Sequence, residues 1–309
     1  MRLFDRLADV PDDFGPSAIS IGKFDGVHAG HRAVIAELTA AAAEEHLVPT
    51  VVTFDRHPAA LLAPEKCPPQ LVSNRQKVEL LAERGVEATL LLTFDAALAA
   101  LPPEEFVERI LVRSLHARLV LVGEDFRFGR GGAGTVRTLR ELGVRHGFRV
   151  DTVGDVRPDS HRRVSSTWIR DLLTAGDVDA ATDLLGRAPS VCGMVVHGAK
   201  RGRELGFPTA NLSPESEGLI PADGVYAGWL TDAGTRYPAA ISVGSNPTFQ
   251  GVPPKQVEAY VLDRDIDLYD HIVEVAFVSR IRGQVAYEGV GPLIAQMTDD
   301  VERVRALLL

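Results

Sequence analysis

The sequence contains few cysteines and no long apolar segment. Its two cysteines, Cys67 and Cys192, match no pairing motif, which favours a reducing cytoplasm as the location of the protein. None of its apolar runs reaches the roughly 18 residues needed to cross a bilayer. The aspartates at positions 5, 9, 12 and 13 do not suit a signal peptide. We therefore expect a cytoplasmic protein without a membrane partner.

Two further absences narrow the class of ligand. The net charge is −9 and the chain has no block of basic residues, which counts against a nucleic-acid partner. The chain also lacks the GxxxxGK[ST] pattern, which excludes a P-loop kinase. This composition suits a small ligand that is held in a local positive pocket.

The chain is long enough for two domains, and its pattern changes once. It has 309 residues, and domains usually have about 100–200. In the first part, short apolar runs alternate with helical segments, which predicts an α/β domain with a doubly wound parallel sheet. The predicted strands of this part are residues 18–21, 48–53, 88–92, 119–122 and 149–153.

After about residue 187, short β-type runs follow one another and a single helix closes the chain. This pattern is typical of a small antiparallel β-barrel with a terminal helix. We place the domains at residues 1–186 and 187–309. The predicted strands here are residues 190–197, 224–230, 237–243, 257–262 and 272–281, and the helix is 293–309.

The segment "GKFDGVHAGH", residues 22–31, lies between a predicted strand and a predicted helix. Anionic ligands bind at such places, because free N–H groups and the helix dipole favour negative charge. Gly22, Gly26 and Gly30 let the backbone approach a ligand, and the spacing of His28 and His31 places both imidazoles on one side. A pair of surface histidines and a metal pair are alternatives, but phosphate recognition during nucleotidyl transfer suits the segment better.

The segment "VSSTWIR", residues 164–170, begins another predicted helix. Ser166 and Thr167 are typical N-cap residues, and a cap alone is the simpler interpretation. Arg170 follows one turn later, where it could reach a phosphate at the helix start. The chain then has two helix starts suited to phosphate.

Aromatic and polar residues also follow two of the predicted strands. They could form a slot for a planar ring at the edge of the sheet that carries the histidines, although an ordinary place in the core is the simpler interpretation of each phenylalanine taken singly. These residues are Phe54, His57, Pro58, Asp125, Phe126 and Phe128.

In the second part, "HGAKRGRELGFPTANL", residues 197–212, combines glycines, basic residues and neutral oxygen donors. We interpret the first half as a flexible basic lid over a polyphosphate, with a long hairpin loop as the alternative. Thr209 and Asn211 share a face of an extended chain, and their oxygens suit Mg²⁺. The predicted lid residues are Gly198, Lys200, Gly202, Arg203 and Gly206.

These segments resemble, in order and over nearly the whole length, the bifunctional bacterial riboflavin kinase/FMN adenylyltransferases. "GKFDGVHAGH", "TFDRHP", "VGEDFRFG" and "VSSTWIR" are similar to the adenylyltransferase module, which is of the HxGH nucleotidyltransferase type. "GRELGFPTANL", "GVYAGWL", "SVGSNPTF" and "VEAYVLD" are similar to the kinase module. Arg56 stands where this family usually has proline.

The resemblance implies two ATP-dependent reactions. The second domain would phosphorylate riboflavin to FMN with Mg–ATP, and the first would join FMN to the adenylyl group of ATP, forming FAD and pyrophosphate. It implies that Glu258 is the general base of the kinase and that Thr209 and Asn211, beside Pro208, hold Mg–ATP. It implies ATP contacts in the first domain from Gly22, Phe24, Gly26, His28, Gly30, His31, Ser166, Thr167 and Arg170.

Two other functions compete with this one. A different HxGH adenylyl- or cytidylyltransferase would not need the "PTAN" barrel. A non-catalytic flavin-binding protein could have lost His28, His31, Thr209, Asn211 or Glu258, and all five are present.

Overall fold

The computed structural model describes residues 1–157, 162–198, 205–245 and 255–309. The chain divides into two compact units. The first comprises Met1–Pro69 and Asn74–Ser165, and the second comprises Gln70–Ser73 and Ser166–Leu309. This division follows Ser165, whereas the sequence pattern places the functional boundary between residues 186 and 187, which stays a prediction.

A parallel sheet forms the centre of the first unit. The strands of this unit are β1 Arg2–Phe4, β2 Ser17–Ile21, β3 Val48–Phe54, β4 Ala88–Leu92, β5 Ala117–Gly123, β6 Arg127–Phe128, β7 Gly134–Thr135 and β8 Arg149–Val153. Six of them form one sheet in the order β1-β4-β3-β2-β5-β8, and all of its pairs are parallel. The strands β6 and β7 form a separate antiparallel ribbon.

The order of the strands reverses direction between β2 and β5. The chain runs from β2 through β3 to β4 on one side of the sheet and places β5 and β8 on the other. In open α/β sheets, ligands bind outside the carboxyl ends of the strands at such a switch point. The loops that follow β2 and β5 therefore form the expected position for a site.

Helices and apolar clusters cover both faces of the sheet. In β2, Ile19 and Ile21 belong to one buried cluster and Ala18 belongs to the other, because successive residues of a strand face opposite sides. This confirms the predicted doubly wound sheet. The helices of this unit are α1 Ala29–Glu45, α2 Ala59–Leu62, α3 Asn74–Ala82, α4 Ala96–Ala99, α5 Pro103–Phe106, a π-helical segment Val107–Ser114 and α6 Val136–His146.

In its described residues, the second unit is a closed antiparallel barrel with three helices. Its strands are β9 Ser190–Val196, β10 Ala210–Leu212, β11 Gly224–Asp232, β12 Thr235–Ser245, β13 Lys255–Val261 and β14 Ile272–Arg282. They close in the order β10-β13-β12-β11-β14-β9, which confirms the predicted barrel. The helices are α7 Ser166–Ala175, α8 Val178–Leu185 and α9 Val290–Leu308.

The terminal helix α9 is attached to the barrel by a buried ion pair. Arg282, the last residue of β14, donates from Nη2 to Asp300 Oδ2 over 2.6 Å and from Nε to Oδ1 over 2.9 Å. Both side chains are largely shielded from solvent, so each charge depends on its partner. Neither α9 nor any other helix of the described residues is long and apolar enough to span a membrane.

Candidate active sites

The loop after β2 holds two imidazoles at the amino end of α1. Phe24, Gly26 and Val27 have φ angles of 48°, 82° and 42°, and this tight path places His28 directly before α1. His31 follows in the first turn, and the two rings stack with centroids 3.8 Å apart and planes inclined by 16°. The predicted proximity of the imidazoles is confirmed. A β-branched residue at positive φ costs roughly 1–3 kcal/mol, and such strain is concentrated at functional sites.

Two glycines make room for the aromatic rings of this loop. A Cβ at Gly30 would lie 3.2 Å from Cε1 of His28, and a Cβ at Gly22 would lie 3.1 Å from the ring of Phe24. Phe24 is buried, and its centroid is 5.1 Å from that of His31. These glycines therefore determine where Phe24 and His28 can sit, a role that differs from the predicted approach of the backbone to a ligand.

The electrostatic environment keeps His31 neutral. Burial, followed by the charges of His28, Lys23, Arg163 and Lys77, holds the pKa of His31 well below its usual value. Its Nδ1 is buried and has no hydrogen-bond partner among the described residues. A neutral imidazole donates one hydrogen bond and accepts another, and the surrounding cations favour an anionic ligand.

The end of β3 is held by the side chains of α3. Asn74 Nδ2 donates to the carbonyl of Asp55 over 2.7 Å, and Lys77 Nζ donates to that of Phe54, also over 2.7 Å. The Asp55 carboxylate accepts from the backbone N–H of Phe94 at 3.0 Å and pairs with Arg56. Arg56 thus stabilises the turn through an ion pair, where proline would restrict φ.

His57 and Lys23 present N–H groups to the same space. His57 Nδ1 accepts from the N–H of Ala59 at 3.0 Å, so a neutral His57 carries its proton on Nε2. Lys23 Nζ lies 3.2 Å from that Nε2. At this separation no group fits between the two nitrogens, and the pair places the Lys23 ammonium directly beside the His57 ring. Pro58 directly precedes α2.

The loop after β5 brings Asp125, Phe126 and Phe128 to the same edge. Phe128 is buried in the core of this unit, and the ring of Phe126 stacks on it with centroids 5.6 Å apart. Phe126 is therefore the more accessible of the two rings. Asp125 pairs with Arg163 over 2.6 Å, and this hydrogen bond lowers the pKa of Asp125.

Residues that the sequence analysis missed support this first site. Lys23, Asn74 and Lys77 hold or face the loops after β2 and β3, and Arg163 binds the loop after β5. Lys77 had a detectable signal, because it lies four residues before the buried Leu81 on the same face of α3. Asn74 and Arg163 carry no comparable signal in the sequence.

Ser166, Thr167 and Arg170 lie in the first turns of α7, which belongs to the second unit. The predicted helix start at this segment is confirmed, since α7 begins at Ser166. The ATP contacts expected from these residues stay a prediction.

In the barrel, the paired strands β10 and β13 bring three polar side chains together. Asn211 is the register partner of Glu258, and Thr209 Oγ1 lies 3.4 Å from Glu258 Oε2. Asn211 Nδ2 donates to the carbonyl of Thr209 at 3.1 Å. A Cβ at Gly198 would lie 2.4 Å from Asn211 Oδ1, so a side chain at this position would displace the Asn211 amide. The strand β10 was missed because its three residues lie within the predicted loop.

A pocket of about 240 Å³ adjoins Thr209 and Pro208 in the second unit. One of its walls is Tyr269, whose ring lies 4.0 Å from that of His197 between centroids. Gly206 has a φ of 86°, and the predicted lid residues Lys200, Gly202 and Arg203 lie outside the described residues. The rest of the lining consists of the apolar residues Val195, Ala210, Ala259, Val261, Ile266 and Leu268 and the charged residues Arg264, Asp265 and Asp267.

Comparison with protein families and known proteins identifies two enzyme families in this chain. Residues 11–168 match the FAD synthetase family, and residues 185–308 match the riboflavin kinase family. The bifunctional riboflavin kinase/FMN adenylyltransferase of Escherichia coli K12 is 36% identical over 97% of this chain and 95% of its own. That of Bacillus subtilis is 31% identical over 94% and 92%.

A crystal structure described as a macrolide-efflux protein from Streptococcus pneumoniae has the same fold. It is 31% identical, covers 98% of both chains and has a TM-score of 0.87. That description applies to the other protein, whereas both halves of this chain match enzyme families. The chain therefore belongs to the bifunctional riboflavin kinase/FMN adenylyltransferase family, with the adenylyltransferase in its N-terminal part and the kinase in its C-terminal part.

Proposed function

We propose that adenylyl transfer takes place at the switch point of the parallel sheet and phosphoryl transfer beside β10 and β13 of the barrel. The stacked pair of His28 and His31 supports the first assignment, and the proximity of Thr209, Asn211 and Glu258 supports the second. The FMN produced in the barrel is then the substrate of the sheet site.

In the adenylyl transfer, a phosphate oxygen of FMN bonds to the α-phosphorus of ATP, and the bond to the leaving pyrophosphate breaks. The FMN phosphate is already an anion at neutral pH, so this step needs positioning and charge stabilisation rather than a base. Neutral His31 donates a hydrogen bond to the phosphates, together with His28 and the N–H groups at the start of α1. Negative charge from the phosphates in turn favours protonation of His31, which strengthens that hydrogen bond.

The planar flavin ring occupies the edge formed by the loops after β3 and β5. Phe54 ends β3, and Phe126 is the more accessible ring of the second loop. Asp125, His57 and Pro58 supply the polar and shape-determining contacts. The Lys23 ammonium, which lies beside the His57 ring, would attract an anionic part of a substrate.

In the phosphoryl transfer, the primary hydroxyl of the riboflavin side chain attacks the γ-phosphorus of ATP. This hydroxyl is neutral and weakly acidic, so a carboxylate that accepts its proton assists the reaction. Glu258 Oε2 lies 3.4 Å from Thr209 Oγ1, and this proximity supports the assignment of Glu258 as the base. The leaving group is ADP.

Magnesium fits the second site. Thr209 Oγ1 and Asn211 Oδ1 are oxygen donors of the kind that Mg²⁺ prefers, and Mg²⁺ usually retains waters and substrate phosphates as further ligands. Bound there, it would neutralise charge on the ATP phosphates. Among the described residues, no group of three or more His, Cys, Asp or Glu side chains is placed to hold a metal ion.

The ATP of the kinase reaction would place its base in the pocket beside Thr209. That pocket combines apolar side chains and Tyr269 with the charged residues Arg264, Asp265 and Asp267, and an aromatic ring can stack on a purine. The basic lid predicted from residues 198–206 would cover the phosphates. The sequence has only two cysteines, which match no pairing motif, and this favours a cytoplasmic location for the enzyme.

The two assignments are tested with one pair of variants of the full-length enzyme. His28→Ala/His31→Ala should convert riboflavin to FMN without forming FAD. Thr209→Ala should form no FMN, yet it should make FAD from supplied FMN. Chromatographic separation of the flavins measures both outcomes. Unchanged FAD formation by the double variant would contradict the first assignment, and equal loss of both activities in Thr209→Ala would contradict the second.

A further inference from the structure

We propose that Lys77 is a positioning residue for adenylyl transfer, because its buried ammonium group holds the end of β3 and attracts the loops that follow β2 and β3. The inference rests on the placement of that reaction at the carboxyl edge of the sheet. Lys77 lies in the first turn of α3 and is only 4% exposed. Its Nζ donates to the carbonyl of Phe54 over 2.7 Å.

Burial of a lysine ammonium group is energetically unfavourable, and an apolar side chain would fill the same space without the loss of hydration. Removing a charge from water costs several kcal/mol unless partners compensate. Lys77 lies on the face of α3 that includes the buried Leu81, a position where leucine or methionine would pack well. Its one hydrogen bond among the described residues goes to Phe54. A charge at this place therefore needs an explanation beyond packing.

The charges around Lys77 come from the two loops that carry the proposed substrate contacts. Asp25 belongs to the loop after β2, and Asp55 belongs to the loop after β3. Both carboxylates stabilise the ammonium form, while burial has the larger and opposite effect, so the pKa of Lys77 falls to about 8. His31, in the first turn of α1, feels the same ammonium, which contributes to its lowered pKa.

One cation thus connects the parts of the site that must meet during the reaction. It attracts Asp25, three residues before His28, and it fixes the carbonyl of Phe54, three residues before His57. Asn74 fixes the next carbonyl of the same loop. Neutralising Lys77 would leave the Phe54 carbonyl with a weaker donor and remove the attraction for both loops. We expect the substrate-binding edge to lose its geometry while the sheet beneath it stays folded.

The test compares Lys77→Met, Lys77→Arg and the control Lys66→Met in the full-length enzyme. Lys66 is an exposed lysine of the same unit. We expect Lys77→Met to lower kcat/KM for FMN about ten- to a hundredfold, because a misplacement of about 1 Å can cost roughly 10²-fold. Riboflavin phosphorylation by the same chain should be unchanged in all three variants, since Lys77 lies outside the barrel unit.

The pH profile distinguishes positioning by charge from a packing role. Because the ammonium is the active form, wild-type kcat/KM for FMN should fall as the pH rises through about 8. The second pKa of a phosphate is about 6, so ionisation of FMN does not cause this alkaline limb of the pH profile, the fall in kcat/KM near pH 8. Lys77→Arg should recover part of the activity and move the limb to higher pH, because arginine keeps its charge.

Three results would overturn the inference. They are an unchanged kcat/KM in Lys77→Met, an alkaline limb with the same midpoint in Lys77→Arg as in the wild type, and a parallel loss of kinase activity in Lys77→Met. If the wild-type enzyme itself forms no FAD from FMN and ATP, the assigned reaction fails rather than the role of Lys77.

Discussion

Replacing Gly30 with alanine should weaken adenylyl transfer without destabilising the fold. Gly30 is the second residue of α1, and its φ lies outside the left-handed region. Alanine favours helix over glycine by up to about 1 kcal/mol. The new Cβ would lie 3.2 Å from Cε1 and 3.3 Å from Nδ1 of His28. The substitution should therefore favour the helix while it disturbs the position of His28.

The size of the effect follows from how far His28 must move. Its ring is buried and stacked on His31, so it can relieve the contact only by a shift of a few tenths of an ångström that disturbs the stack. Since 1 Å of misplacement costs roughly 10²-fold in rate, such a shift should reduce the turnover about three- to tenfold. The free energy of unfolding should change by no more than about 1 kcal/mol.

The assay measures FAD formed from supplied FMN and ATP, together with thermal unfolding. Riboflavin phosphorylation by the same chain serves as the internal control. Gly291→Ala is the matched variant, because Gly291 lies in α9 and a Cβ there meets nothing within 4 Å. Gly291→Ala should show the stability change that alanine brings to a helix, without a loss of adenylyl transfer. Full FAD synthesis by Gly30→Ala would refute the role assigned to the histidine stack.

Two further predictions concern proton transfer and pH. Glu258→Gln keeps the shape of the side chain but cannot accept the proton, so riboflavin phosphorylation should fall about 10²- to 10⁴-fold. Calorimetry should show little change in Mg–ATP binding, and near-normal turnover would contradict the role of Glu258 as base. Because the pKa of His31 is lowered by folding, the unfolded chain binds the proton more readily below about 6.5, and the free energy of unfolding should decline as the pH falls below that value. His31→Gln should reduce this slope in urea titrations, and an unchanged slope would assign it to other groups.

The fold was predictable wherever the apolar pattern was long enough. The five strands predicted for the sheet and the five predicted for the barrel are all present, because a fully buried strand such as β2 reads as a continuous apolar run. The strands β1, β6, β7 and β10 were missed. Each has two or three residues, and such short segments gain their stability from neighbouring strands rather than from their own pattern.

The candidate sites were predictable where chemistry is local in sequence. The proximity of His28 and His31 follows from a spacing of three residues across the start of a helix, and Thr209 and Asn211 share one short segment. The supporting contacts are distant in sequence. Lys77 meets the carbonyl of Phe54 across 23 positions, and Arg163 meets Asp125 across 38. Only the packing of α3 and of the strand-end loops on the sheet brings these pairs together.

The helices α7 and α8 pack within the barrel unit, although the sequence pattern groups them with the first domain. Ala222 donates from its N–H to the Leu173 carbonyl of α7 at 2.9 Å. Ser279 of β14 donates to Asp179 of α8 at 3.2 Å. The buried apolar residues of the two helices are Ile169, Leu173, Val178, Ala181, Leu184 and Leu185.

A fragment that starts at residue 166 should therefore be a more stable kinase than one that starts at residue 187. Burying a leucine or valine contributes about 1.5–3 kcal/mol, so losing both helices removes several kcal/mol from a domain whose total stability is about 5–15 kcal/mol. We expect fragment 166–309 to unfold cooperatively in urea and to phosphorylate riboflavin. Fragment 187–309 should unfold at lower urea or lack a cooperative transition. Equal midpoints for the two fragments would show that α7 and α8 contribute little to the barrel and would favour a boundary at residue 187.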